Sequence, residues 1–106
     1  MELKHLNNEN FDLTLQGEKG LFVVDFFATW CGPCRMLGPV MEEVQDELLG
    51  KASIYKVDID EAEDVARSFG IMSVPSVLFF RDGKEIGRFV GYRNKQQALE
   101  EIEKYL

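Results

Sequence analysis

The feature that most constrains this chain is a pair of cysteines, Cys31 and Cys34, between an apolar run and a helical pattern. The apolar run covers residues 21–27, and helically spaced apolar side chains predict a helix from Arg35 to Leu49. Both thiols therefore fall at a helix N-terminus, where unpaired N–H groups and the helix dipole favour a thiolate. Cysteines three positions apart can close a small disulfide ring and reopen it with little chain movement. This arrangement predicts a reversible dithiol/disulfide centre.

The residues around the two cysteines fit such a centre. Gly32 permits a tight backbone path, and Pro33 has no N–H to lose in the first helical turn. Trp30 is expected on a contact surface, because eight Phe already supply the core. The competing interpretations are two structural thiols or half of a zinc site. Zinc needs about four ligands, and beyond the cysteines only His5 and scattered carboxylates remain, so redox chemistry without a metal or bound cofactor is favoured.

Two charged residues interrupt the predicted core strands. Asp25 lies in the apolar run of residues 21–27, which is typical of a central strand covered on both faces. Burial disfavours the carboxylate, so we expect its pKa to rise far enough for Asp25 to accept a proton from Cys34. Lys56 interrupts the strand predicted from Ser53 to Asp58. It is either a partly buried ammonium that lowers the pKa of Asp25 or a surface lysine, and the sequence favours neither.

The rest of the pattern alternates strands and helices. A weak edge strand comes first, and a hairpin and a helix capped by Asn94 come last. The order β-α-β-α-β-α-β-β-α predicts an α/β fold, a central mixed sheet with helices on both faces. With 106 residues and no linker or repeat, one domain over residues 1–106 is expected. The other predicted strands cover residues 3–6, 76–81 and 84–90. The other predicted helices cover residues 11–17 and 60/61–69.

Charge and cysteine usage limit the possible partners and compartment. The net charge of −7 argues against nucleic acid and anionic membranes as partners. Both cysteines belong to the predicted redox centre, so none remains for a structural disulfide that would mark an oxidising compartment. The first residues lack the apolar segment of a signal peptide, and no run approaches the roughly 20 apolar residues of a membrane span. We therefore expect a cytoplasmic protein.

The stretch Trp30-Cys31-Gly32-Pro33-Cys34, with Asp25 six residues before Cys31, resembles the thioredoxin family. A bare C-x-x-C is a weak signal, whereas W-C-G-P-C after a strand that carries an Asp is a strong one. The resemblance extends over essentially the whole chain through Lys56, Val74-Pro75, Gly83 and Gly91. It implies a thioredoxin-like fold and a thiol-disulfide oxidoreductase. In that role the chain would act as a protein disulfide reductase and electron carrier, recharged with NADPH electrons by a thioredoxin reductase.

The residue roles follow from the motif and from the resemblance. Cys31 would attack a substrate disulfide, and Cys34 would then attack the Cys31 sulfur and release reduced substrate. The resemblance implies a cis Val74–Pro75 bond facing the sulfurs, which would leave the Val74 backbone free to pair with an extended substrate. Gly91 either keeps space for that substrate or is an ordinary turn glycine. Departures from the commonest family pattern lie at Phe27, Arg35, Met72-Ser73 and Ser76.

Two other functions compete with disulfide reduction. A disulfide oxidant or isomerase uses the same chemistry, but a basic or His side chain between the cysteines would favour it, whereas Gly32-Pro33 suits a reductant. A docking subunit would use the fold as a binding surface without catalysis. Serine at both cysteines separates these possibilities, since catalysis would vanish and docking would survive. The expected partners are a thioredoxin reductase and disulfide-containing proteins, and a monomer is expected.

Overall fold

A five-stranded mixed sheet forms the middle of the structure, a computed structural model that describes residues 1–106. Its strands are β1 (Lys4–Leu6), β2 (Leu21–Phe27), β3 (Ala52–Asp58), β4 (Ser76–Arg81) and β5 (Lys84–Val90). They lie in the order β1-β3-β2-β4-β5. β1 and β2 run parallel to β3, whereas β4 runs antiparallel to both β2 and β5. β2 is therefore the central strand, as its apolar sequence on both faces predicts.

Four helices cover the sheet: α1 (Phe11–Gly17), α2 (Gly32–Glu47), α3 (Glu63–Ser68) and α4 (Lys95–Glu103). Buried residues of α2 and α4 form one apolar core with one face of the sheet, and those of α1 and α3 form a second core with the other face. The predicted α/β fold, with a central mixed sheet and helices on both faces, is confirmed. None of the helices combines the length and the apolar character needed to cross a membrane.

The alternation of side chains along β2 divides them between the two cores. Leu21 and Val23 belong to the core of α2 and α4. Phe22, Val24 and Phe26 belong to the core of α1 and α3. Successive side chains of a strand point to opposite faces, so Asp25 lies on the same face as Val23. The one charged residue of the central strand is thus on the side of the helix that begins beside the cysteines.

Helix α2 begins at Gly32, earlier than the predicted start at Arg35. Its N-cap residue is Cys31, whose backbone is extended, and the N–H of Cys34 donates a hydrogen bond of 3.2 Å to Cys31 Sγ. The usual capping residues are Ser, Thr, Asp and Asn, so a sulfur in this role gives no sequence signal for a helix start. The helix continues through Pro39 to Glu47.

Helix α3 begins at Glu63, later than the predicted start at residue 60 or 61. The residues in between form a turn, in which the N–H of Asp60 donates a hydrogen bond of 2.9 Å to Asp58 Oδ1. Asp side chains commonly bond the backbone two residues further on, and this competes with the helix.

Helix α4 has the cap that the sequence predicts. The Asn94 side chain accepts a hydrogen bond from the N–H of Gln97, whose side chain bonds back to the Asn94 N–H. The helix ends at Glu103. Ala98 and Ile102 are fully buried, whereas Leu106 lies beyond the helix and is 47% exposed.

Candidate active site

The two cysteines form a disulfide at the start of α2, with their Cα atoms 5.3 Å apart. Strand β2 ends at Phe27, and a short loop delivers Cys31 to the N-cap position. Cys31 Sγ caps the helix by accepting a hydrogen bond from the N–H of Cys34. When the pair is reduced, this hydrogen bond and the helix dipole would stabilise negative charge on the Cys31 sulfur. The local structure therefore suits the reversible centre predicted from the sequence.

Both sulfur-bearing residues are buried: Cys31 is 6% exposed and Cys34 is 4% exposed. The reason is local packing, since both side chains cluster with Ala28 and are flanked by Phe27 and Val74. Cys31 reaches the surface only as part of the wall of a groove.

This groove has a volume of about 470 Å³ and is mainly apolar. Besides Cys31, its lining contains four residues that the sequence predicts for the site: Trp30, Gly32, Pro33 and Val74. It also contains four that the sequence did not predict for the site: Ile59, Ile71, Met72 and Ser73. Ile71, Met72 and Ser73 directly precede Val74-Pro75, and this adjacency is the sequence signal that could have assigned them to the site. Ile59 follows β3, and only the strand order shows that this end of β3 lies beside the end of β2.

Trp30 stands at the mouth of the groove with its indole held in place. The residue is 65% exposed, and its Nε1–H donates a hydrogen bond of 2.9 Å to Asp60 Oδ2. Asp60 is in turn fixed by the hydrogen bond from its own N–H to Asp58. A large aromatic surface is thus presented to solvent in one orientation, which is typical of residues that anchor a binding partner.

The Val74–Pro75 peptide bond is cis, as the resemblance implied, and lies against the disulfide. The carbonyl oxygen of Val74 is 3.6 Å from Cys31 Sγ. Pro75 itself is buried and does not line the groove. The N–H of Gly91 donates a hydrogen bond of 2.8 Å to the Pro75 carbonyl, and Gly91 has a φ of 93° that favours glycine. Gly91 also lies outside the groove lining, and this hydrogen bond joins it to Pro75.

A second cavity, of about 270 Å³, is lined by Cys34 but not by Cys31. It also contains Asp25 and Lys56, together with Arg35 from the first turns of α2. The Arg35 Nε–H donates a hydrogen bond of 3.2 Å to the carbonyl of Thr29. The two sulfurs of one disulfide therefore border two different spaces, one apolar and open to a partner, the other containing ionisable groups.

Asp25 is the buried acid of this second cavity. It is 2% exposed, and its Oδ1 accepts no hydrogen bond from the protein. Burial raises the pKa of Asp25 from 3.8 to about 7, and the positive charge of Lys56 opposes that rise. The burial and the raised pKa predicted for Asp25 are confirmed. A carboxyl group that titrates near neutral pH can both accept and return a proton under physiological conditions.

Lys56 is paired with Asp25 across the parallel strands β3 and β2. It is half-buried, and its Nζ lies 5.7 Å from the centre of the Phe27 ring. The sequence left open whether Lys56 is near Asp25 or remote from it, and the register places it near. Its ammonium group favours the ionised carboxylate, so Lys56 limits how far burial can raise the pKa of Asp25.

Replacing Lys56 with methionine should raise the pKa of Asp25 above its present value of about 7. The substitution keeps an apolar stem of similar length and removes the opposing charge, so we expect a further rise of roughly one pH unit. The measurement is an NMR titration of the Asp25 side-chain carboxyl carbon in the disulfide form. Lys51→Met, at an exposed position outside the cavity, is the matched control and should leave the titration unchanged. An unchanged or lower pKa in Lys56→Met would contradict this account.

No group of three or more His, Cys, Asp or Glu residues lies in an arrangement that could hold a metal ion.

Known proteins are similar to this chain over most or all of its length. The family model described as Thioredoxin matches residues 2–104. The chain is 42% identical to a Thioredoxin of Staphylococcus saprophyticus over 106 residues, which is the full length of both chains. It is 45% identical to a Thioredoxin of Listeria monocytogenes over 97 residues, covering 90% of this chain and 94% of the relative. A Thioredoxin of Staphylococcus aureus is 39% identical over the full length of both chains.

Proposed function

The chain belongs to the thioredoxin family, and from this premise we propose how its residues share the work of a protein disulfide reductase. The protein is a thiol-disulfide oxidoreductase with a redox-active pair, Cys31 and Cys34. The observation that carries the division of roles is the separation of the two sulfurs, since Cys31 borders the apolar groove and Cys34 borders the cavity of Asp25. This separation supports a role for the Cys31 sulfur in substrate attack and for the Cys34 sulfur in proton transfer.

The reaction proceeds in two exchanges. The Cys31 thiolate attacks one sulfur of a substrate disulfide, forming a mixed disulfide and releasing the other substrate sulfur as a thiolate. Cys34 then loses its proton and attacks Cys31 Sγ, which restores the Cys31–Cys34 bond and releases the second substrate thiol. Two electrons pass from the dithiol to the substrate. The short Cα separation of 5.3 Å lets the second attack occur without rearrangement of α2.

Asp25 is the base for the second exchange. It lines the same cavity as Cys34, and its pKa of about 7 lets it accept the Cys34 proton, directly or through water, as the mixed disulfide resolves. Lys56 acts through Asp25 by keeping that pKa near neutral. A more acidic carboxyl would be a weaker base, and a less acidic one would remain protonated at neutral pH.

Substrates bind along the groove as extended segments. Trp30, Gly32 and Pro33 form one part of the lining, and the Val74 carbonyl lies near Cys31 on another, where it can pair with a substrate backbone. Pro75 and Gly91 hold the Val74 segment in place from behind, through the hydrogen bond of 2.8 Å between them. These six residues therefore contribute to substrate binding, four at the surface and two beneath it.

The protein works with a reductase and with disulfide-containing proteins, as membership of the family implies. We propose that electrons come from NADPH through a thioredoxin reductase, because the disulfide formed in each turnover must be reduced again. A dithiol reductant functions where the thiol pool is reducing, which supports a cytoplasmic location. Residues 1–106 act as one domain and as a monomer, since both faces of the sheet are covered by helices of this same chain.

The experiment that tests a reductase against an oxidant is the equilibrium of the Cys31–Cys34 disulfide with glutathione. We expect a potential more negative than about −220 mV, the oxidising end of the cytosolic glutathione range. Mixtures of reduced and oxidised glutathione set the potential, and the fluorescence of Trp30, the only Trp, reports the redox state. Alkylation followed by mass spectrometry gives an independent readout.

Pro33→His is the matched variant for this titration. It places a side chain that can become cationic between the cysteines, where it stabilises the thiolate and so destabilises the disulfide. We expect a potential that is more oxidising than that of the native protein by tens of millivolts. A native potential more oxidising than the glutathione pool would instead favour a disulfide oxidant or isomerase.

A further inference from the structure

The groove beside Cys31 contains a methionine side chain that is almost fully open to solvent. Met72 lines the groove and is 96% exposed. Of the other three methionines, Met41 is fully buried, whereas Met1 and Met36 are exposed but do not line the groove. Met72 is thus the one exposed thioether in the lining of the groove.

The backbone on both sides of Met72 is held in place. The N–H of Ile71 donates a hydrogen bond of 3.0 Å to the carbonyl of Ala66 at α3. The Ser76 hydroxyl donates a hydrogen bond of 2.6 Å to the carbonyl of Ser73. The exposed thioether is therefore attached to a backbone that is held on both sides, which keeps it at the groove. Unbranched, polarisable Met side chains in such positions pack against apolar groups of many shapes.

We propose that Met72 is an oxidation-sensitive substrate contact, and that its conversion to the sulfoxide weakens the binding of protein substrates without altering the redox pair. The inference rests on the proposed function, because it takes the groove as the surface that binds substrate. The oxidant is a peroxide. Its O–O bond breaks, a new S–O bond forms at the Met72 sulfur, and hydrogen peroxide leaves as water, so that the sulfur loses the two electrons that the peroxide gains.

The sulfoxide changes the character of the groove because an S=O group is polar and accepts hydrogen bonds. The neighbouring lining residues Ile59, Ile71 and Val74 offer apolar side chains. When a substrate segment covers the groove, the new oxygen loses its water and gains no side-chain partner from these three residues, which opposes binding. Small disulfides need only Cys31 and are unaffected. Oxidation of Met72 would thus reduce the transfer of electrons to proteins selectively under peroxide stress.

The test begins with the disulfide form treated with hydrogen peroxide, so that both cysteines are protected. Peptide mass mapping should show one added oxygen at Met72. The pair is then reduced with dithiothreitol, the excess is removed, and single-turnover rate constants are measured with insulin and with the small disulfide DTNB. We expect the insulin rate constant to fall about fivefold after peroxide, and the DTNB rate constant to stay the same.

Each variant is compared with itself before and after peroxide. Met72→Leu keeps an apolar side chain that cannot form a sulfoxide, and its two insulin rate constants should be equal. Met36→Leu removes an exposed thioether outside the groove and should still show the fivefold fall. The inference is overturned if Met72 is not oxidised, if its sulfoxide leaves the insulin rate unchanged, or if Met72→Leu loses as much activity as the native protein. Reduction of DTNB but not of insulin before any treatment would instead overturn the proposed function itself.

Discussion

Cys31→Ser should abolish disulfide reduction, lowering the rate constant for insulin by at least about a thousandfold. A serine hydroxyl is a far weaker nucleophile at neutral pH than a thiolate, and no other thiol borders the groove. Cys34 borders the cavity of Asp25 instead, so it cannot replace Cys31 at the groove. The measurement is turbidity or stopped-flow fluorescence of insulin reduction with dithiothreitol as the electron source.

Cys34→Ser should behave differently, and this contrast tests the order of the two exchanges. Cys31 can still attack, but the mixed disulfide has no partner thiol to resolve it and therefore accumulates. Intact mass spectrometry should detect a covalent complex with substrate in Cys34→Ser and none in Cys31→Ser. Trapping by Cys31→Ser instead would reverse the assigned roles.

The double variant with serine at positions 31 and 34 examines the docking alternative. Both residues are packed in a small cluster with Ala28, and serine is close to cysteine in size, so the fold should persist. Loss of insulin reduction is expected from the chemistry. Binding of a partner protein that survived the double substitution would show that the groove serves as a docking surface independent of catalysis.

Features that lie within one element could be predicted from the sequence. The apolar run of β2 predicts a central strand, and a charged residue within it must be buried, so both the burial of Asp25 and its raised pKa follow from the pattern. The spacing of Leu37, Met41 and Val44 on α2 likewise predicts the face that enters the core.

Features that depend on how elements meet could not be predicted in this way. Lys56 is near Asp25 only because β3 pairs with β2 in a particular register, and no local pattern specifies a register. Ile59 reaches the groove only because β3 lies beside β2 rather than at an edge. The burial of Cys31 arises in the same way, from packing against Val74, which is distant in the sequence.

Removing the Asp25 carboxyl should stabilise the disulfide form at neutral and higher pH. A pKa raised from 3.8 in the unfolded chain to about 7 in the folded one corresponds to about 4 kcal/mol at about 1.4 kcal/mol per pH unit. Allowing for the packing lost with the side chain, Asp25→Ala should raise the free energy of unfolding at pH 8 by about 2 to 4 kcal/mol. The measurement is guanidinium-induced unfolding of the disulfide form at a series of pH values.

The direction of the pH dependence follows from the raised pKa. Between pH 4 and pH 7 the folded native protein keeps the Asp25 proton that the unfolded chain has lost, so the stability of the native protein falls as pH rises through this range. Asp25→Ala should therefore be equal to or slightly less stable than the native protein near pH 4, become the more stable of the two as the pH rises to about 7, and stay more stable by a constant amount above that pH. Asp25→Asn, which keeps the size and removes the charge, should show the same loss of pH dependence.

Asp25→Ala should slow catalysis although it stabilises the fold. A buried acid without a function would affect stability alone, so the two effects together identify Asp25 as a functional acid. Without Asp25 the Cys34 proton has no nearby acceptor, so decay of the mixed disulfide at pH 7 should slow by about tenfold or more. In the native protein this decay should accelerate with an apparent pKa near 7, and in Asp25→Ala that inflection should disappear. Attack by Cys31, which borders the other space, should be little changed. A variant that resolves mixed disulfides at the native rate, or that unfolds more easily at pH 8, would remove Asp25 from the mechanism.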